Sequence, residues 1–166
     1  MKSLILWLAQ GLGLGRIPWA PGTFGSLGGL LWFLLLLKPG SLWFFFLAAL
    51  AGILLSVWIC GEAEKILKLR DPGSIVLDEI IALPICFTPW VLSEWLRTGV
   101  VPAPEWFLQG RNAMVFLIIF VLFRIFDILK PWPVRQSQKF EGGWGVTADD
   151  VLAGCYVALL TLIVLV

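Results

Sequence analysis

Three acidic groups carry most of the chemistry available to this chain: Asp78 with Glu79, Asp127, and Asp149 with Asp150. Each lies at or just inside the end of an apolar stretch, in a sequence that is 60% hydrophobic and 14% charged. An ionised carboxylate at the edge of hydrocarbon costs up to a few kcal/mol unless something pairs with it. Placing acids there three times, each beside Lys, Arg or a Gly-rich turn, is the pattern of a polar site. There is no His, which removes an imidazole general base, a phosphohistidine intermediate and most zinc sites. Cys60, Cys86 and Cys155 are widely spaced in apolar segments and read as buried small hydrophobes. Oxygen donors alone favour Mg²⁺, Ca²⁺ or Mn²⁺.

Each acidic group also has a plainer explanation. Asp78 and Glu79 fall near the second turn of an expected helix, where the stabilising effect of the helix dipole on negative charge has already faded. A bound cation explains them better. Asp127 shares a helical face with Arg124, three residues before it, and Lys130, three residues after it. This is either an intramembrane salt bridge or a ligand beside two phosphate contacts. Asp149 and Asp150 would be at home as the second and third residues of a helix capped by Thr147. The Gly142-Gly143-Trp144-Gly145 turn ahead of them would also let backbone approach a ligand. The Pro21–Ser26 loop, opening a helix, is able to cradle a phosphate on its amides and hydroxyls.

The elements that must position these residues are helices. A mean hydropathy of +0.95, with ten Trp and twelve Phe in 166 residues, points to an integral membrane protein forming a single domain over 1–166. The expected fold is all-α, with about four to five membrane helices and a short interfacial helix over 3–14. A short helix from about Gly22 or Ser26 to Leu37 is followed by a span at 41–60 with a polar continuation to Asp71, in which Glu64 and Lys68 pair. A turn at 71–74 opens a third helix, Ile75 to about Leu96, kinked at Pro84 and Pro89. A fourth runs from Arg111 to Lys130 and a fifth from Ala148 to Val166.

If these helices alternate across a membrane, one face receives Lys2, Arg16, Lys65, Lys68, Arg70, Arg124, Lys130, Arg135 and Lys139, and the other only Lys38, Arg97 and Arg111. The excess of positive charge marks the first face as cytoplasmic. All five acids fall on that face. With a net charge of +1 and no basic run, nothing suggests a nucleic-acid partner.

Four blocks, Pro18–Ser26, Gly73–Glu79 (GSIVLDE), Phe123–Arg135 (FRIFDILKPWPVR) and Gly142–Gly154 (GGWGVTADDVLAG), resemble the phosphatidylglycerophosphatase A family, in order and across most of the chain. The resemblance implies an all-α enzyme of a bacterial inner membrane. It would use Mg²⁺ to remove the terminal phosphate of phosphatidylglycerol phosphate, a phospholipid partner, at the cytoplasmic face. Metal-site roles carry over to Asp78, Glu79, Asp127, Asp149 and Asp150, with Asp78, Glu79, Asp127 and Asp150 expected to be catalytic. Thr23, Ser26, Arg124, Lys130 and Arg135 become phosphate contacts. In the expected mechanism, a water activated by Mg²⁺ attacks phosphorus, with an Asp nucleophile as a second possibility. The competing reading is a small cation or proton transporter using the same acids, which would place them near the bilayer midplane with access from both sides.

Overall fold

Proline, glycine and serine set where the apolar runs start and stop. The computed structural model describes residues 2–165 and is all-helical, with no strand among the described residues. Helix α1 (Lys2–Ala9) leads into a 3-10 turn (Gly11–Arg16), broken at Leu12 and Gly13 by positive φ angles of 60° and 108°. The expected 3–14 helix is therefore two pieces. Helix α2 (Pro21–Leu37) starts on Pro21, whose fixed φ suits a first helical residue. Its 17 residues span about 25 Å at 1.5 Å per residue, short of a ~30 Å hydrocarbon core.

Ser41 caps α3 (Leu42–Leu67), its Oγ accepting the Phe44 N–H at 3.3 Å. The expected span and its polar continuation form one helix of 26 residues. It stops at Lys68, which turns into a left-handed conformation with φ 55°. That reversal removes the expected Glu64–Lys68 pair: Glu64 Oε1 instead accepts the Asp71 N–H at 2.7 Å, and Lys65 pairs with Glu62 at 2.6 Å.

Helices α4 (Leu77–Ala82) and α5 (Pro84–Thr98) are the expected third helix, divided at Leu83 because Pro84 has no N–H to continue the ladder. Pro89 is accommodated inside α5. The helix begins at Leu77 rather than Ile75, since the Val76 N–H bonds the Ala9 carbonyl at 3.0 Å and ties α1 to this turn. Short α6 (Pro104–Phe107) interrupts the expected loop before α7 (Gly110–Leu129). Another short helix, α8 (Val134–Ser137), precedes α9 (Gly143–Leu165). Helix α9 starts five residues before the expected Ala148; Val166, its expected last residue, lies outside the described residues.

Helices α4 and α9 sit centrally, packed on each other; α3, α5 and α7 lie against α9, and α2 against α4. α3, α4 with α5, α7 and α9 are each long and apolar enough to cross a membrane. A core of Phe33, Phe45, Phe87, Phe107 and Phe116 fills one half of the bundle, with Phe33 and Phe87 stacked at 4.3 Å. The starts of α2, α4 and α9 and the ends of α3 and α7 meet at the other end. There α9 crosses α3 in close contact: a Cβ on Gly143 would collide with the Val57 carbonyl, so only glycine fits.

Candidate active site

At that second end a cavity of about 250 Å³ is lined by Asp71, Asp78, Glu79, Asp127, Lys130, Asp149 and Asp150, with Gly73, Ile75 and Ile128. The turn of α4 supplies Asp78 and Glu79, the last turn of α7 supplies Asp127, and α9 supplies Asp149 and Asp150. Asp78, Asp127, Asp149 and Asp150 are all buried. A larger neighbouring groove of about 350 Å³, lined by Glu64, Lys65, Lys68 and Arg70 among others, contains none of these five acids.

The early start of α9 removes the capping explanation for Asp149 and Asp150. They lie about two turns into the helix, beyond the reach of its N-terminal dipole. Thr147 is likewise internal, its Oγ1 3.3 Å from Ser56 Oγ on α3.

Arg124 and Lys130 pair with three of the five acids, Glu79, Asp127 and Asp149. Arg124 Nη1 lies 2.7 Å from Asp127 Oδ2 and 3.2 Å from Glu79 Oε2, and donates to Ser26 Oγ at 3.1 Å. Lys130 Nζ is 2.5 Å from Asp149 Oδ2 and 4.0 Å from Asp127 Oδ1. Burial alone would lower the Lys130 pKa. The hydrogen bond to Asp149 and the charges of Asp149, Asp150 and Asp127 outweigh burial, so the pKa lies above the ordinary lysine value.

The start of α2 closes the site from one side. Gly25 packs so tightly that a Cβ there would stand 2.7 Å from Val76 Cβ and 2.9 Å from Glu79 Oε2. Ser26 is fully buried and donates to Glu79 Oε2 (3.1 Å) or to the Gly22 carbonyl (3.0 Å). The expected phosphate cradle at this helix start thus receives the chain's own Glu79 and Arg124. Of the expected phosphate contacts, only Lys130 lines the cavity. Ser26 and Arg124 support the acids, Thr23 is half-buried on α2 outside the lining, and Arg135 is exposed on α8.

Two participants escaped sequence reasoning. Asp71 lines the cavity as a sixth carboxylate, and Gln138 donates to both Asp71 Oδ2 (3.1 Å) and Asp149 Oδ2 (3.0 Å). Asp71 had a signal, since it stands two residues before the Gly73–Glu79 block, but it read as a turn former. Gln138 sits in a polar loop with no periodicity to mark it.

Three buried carboxylate oxygens, Oδ1 of Asp78, Asp149 and Asp150, have no hydrogen-bond partner. Orphaned anionic oxygens around a cavity suit a hard cation. Among the described residues no three acidic or Cys side chains already form a closed metal cage. Mg²⁺ does not need one, since it keeps several waters and binds through one or two carboxylates. The donor set therefore fits Mg²⁺.

The fold and site define an all-α integral membrane protein with an acidic, lysine-bearing cavity at one end of its bundle. The sequence pattern of the phosphatidylglycerophosphatase A family matches residues 7–165, and the chain belongs to that family. It is 35% identical over 149 residues to phosphatidylglycerophosphatase A of Escherichia coli, covering 89% of this chain and 75% of that one. It is 34% identical to the Haemophilus influenzae protein of the same name, covering 92% and 83%. A Bacteroides thetaiotaomicron protein with the provisional name phosphatidylinositol-3-phosphatase is also 34% identical, covering 92% and 88%. No solved structure matches the chain.

Proposed function

We propose that this protein hydrolyses the terminal phosphate of phosphatidylglycerol phosphate to give phosphatidylglycerol, with Mg²⁺, at the cytoplasmic face of a bacterial inner membrane. The observation that carries the reading is the cavity itself, where acids from three of the family-like blocks converge with Lys130 and three carboxylate oxygens lack partners. An anionic phosphate within ~4 Å of one uncompensated carboxylate is opposed by about 4 kcal/mol at an effective dielectric of 20. A ring of acids therefore accepts phosphate only together with cations. Asp78, Glu79, Asp127, Asp149 and Asp150 would between them hold one or two Mg²⁺, with one or two carboxylates to each ion and water in its remaining positions. Bound there, Mg²⁺ supplies Lewis acidity toward phosphate oxygens and makes water a competent nucleophile.

The chain's own groups do the rest. Lys130 presents a point charge to the phosphate and, with its raised pKa, stays protonated through the physiological range. Arg124 holds Glu79 and Asp127 in place through one guanidinium nitrogen, and Ser26 fixes Glu79 from the other side. Exposed Ile128 and Trp132 beside the site offer apolar contacts to a lipid whose tails remain in the bilayer.

The positive charge excess at this end supports a cytoplasmic orientation. The clustering of the five acids at one end of the bundle, with an aromatic core filling the other half, favours an enzyme over a transporter. The three relatives' names share one chemistry, a phosphate monoester on a phospholipid. The test is phosphate release by the purified protein from phosphatidylglycerol phosphate and from phosphatidylinositol 3-phosphate, with Mg²⁺ and with chelator. Release from the first lipid that stops on chelation and returns with Mg²⁺ is expected. Chelator-indifferent release would remove the metal, and preference for the inositol lipid would replace the substrate.

A further inference from the structure

Gln138 occupies the loop between α8 and α9, outside the family-like blocks. Its amide nitrogen carries two N–H groups, so the bonds to Asp71 and Asp149 form together without sharing a proton. Asp149 Oδ2 thereby accepts from both Lys130 and Gln138, which leaves the partnerless Oδ1 as the oxygen available to the cavity. Asp71 is held as well, by its N–H on Glu64 and in a left-handed conformation with φ 45°. Arg70 ties the same two loops through their backbone, donating to the carbonyls of Gln138 and Phe140. The bridge is made by a neutral group. An amide orients two carboxylates without cancelling their charge, whereas a lysine or arginine at this place would neutralise part of the cation site.

We propose that Gln138 is a positioning residue: by bridging Asp71 and Asp149 it sets the orientation of the Asp149 carboxylate and brings Asp71 to the cavity as a sixth acid. The proposal rests on reading this cavity as the phosphatase site. Its test compares the full-length wild type with Gln138→Leu, which loses both hydrogen bonds, and Gln138→Lys, which can bond both acids but adds charge. Four quantities are read: Mn²⁺ binding by electron paramagnetic resonance, kcat and KM on short-chain phosphatidylglycerol phosphate, and thermal stability. Both variants are expected to bind Mn²⁺ and to turn over roughly 10- to 100-fold less well, the range for groups that orient metal ligands, with KM unchanged. Gln138→Lys is expected to lose function while melting no lower than wild type, which a purely structural bridge would not do.

Wild-type Mn²⁺ affinity and kcat in Gln138→Leu would overturn the proposal, as would losses that follow thermal stability alone. If the wild type binds Mn²⁺ but releases no phosphate, the phosphatase reading fails and the Mn²⁺ affinities decide the role of Gln138. If it releases phosphate but binds no Mn²⁺, kcat decides. If it does neither, both readings fall.

Discussion

Replacing Asp127 with asparagine separates a catalytic acid from a salt-bridge partner, because the two roles predict opposite balances of stability and turnover. The substitution keeps the side chain's shape and leaves an amide oxygen to accept from Arg124 Nη1, now 2.7 Å from Asp127 Oδ2. Because Arg124 stays charged and keeps Glu79 as its counter-ion, the bond to the amide oxygen remains charge-assisted, and stability should fall by only about 1 kcal/mol. The 4.0 Å contact with Lys130 adds little to this loss. Removing one negative charge near Glu79, Asp149 and Asp150 offsets part of it. Turnover should fall far more, by roughly 10²–10³, the loss seen when one preorganised electrostatic group is removed from an active site. That corresponds to about 3–4 kcal/mol of barrier.

Phosphate release in mixed micelles measures the second quantity and thermal unfolding of the same preparation the first. Arg124→Gln is the control. It strands Glu79 without a counter-charge and leaves Asp127 only its 4.0 Å contact with Lys130, and leaving a buried partner unpaired costs about 3–5 kcal/mol. Near-normal turnover in Asp127→Asn, or a stability loss as large as that of Arg124→Gln, would refute the assignment and leave Asp127 as an ion-pair partner.

Gly25→Val should destabilise the protein by about 1–3 kcal/mol, since its Cβ meets the Cβ and carbonyl of Val76 and leaves little room to yield. A wild-type melting temperature in this variant would show that α2 and α4 are not in close contact at the site. Lys130→Met should raise KM for the phospholipid. The folded-state pKa of Lys130 lies above its ordinary 10.5, so its stabilising contribution is complete below 10.5 and is lost only as pH rises through the folded value. The melting difference between wild type and Lys130→Met should therefore not shrink as pH rises from about 6 to 9. A difference that shrinks across that interval would contradict the assigned charge state.

The amino-acid sequence by itself determined the membrane helices, their order and the end of the bundle at which the acids gather. Those features follow from local causes: long apolar runs, the Pro and Gly residues that end them, and a chain that reverses direction at each crossing. The five acids stood out by their place at the ends of those runs, and the motif blocks added the family. What only the tertiary structure decided was how each helix is rotated and which loops meet. Helices apolar nearly all round carry little signal for which face turns inward. Nothing local therefore disclosed that Arg124 and Ser26 stand behind Glu79, or that Arg135 lies outside the cavity lining. The start of α9 depends on Gly143 lying against the α3 backbone, a long-range fit that moved Asp149 and Asp150 from helix caps to buried acids. Asp71 and Gln138 joined the site for the same reason: two loops 67 residues apart in sequence are brought together only when α3, α4 and α9 pack.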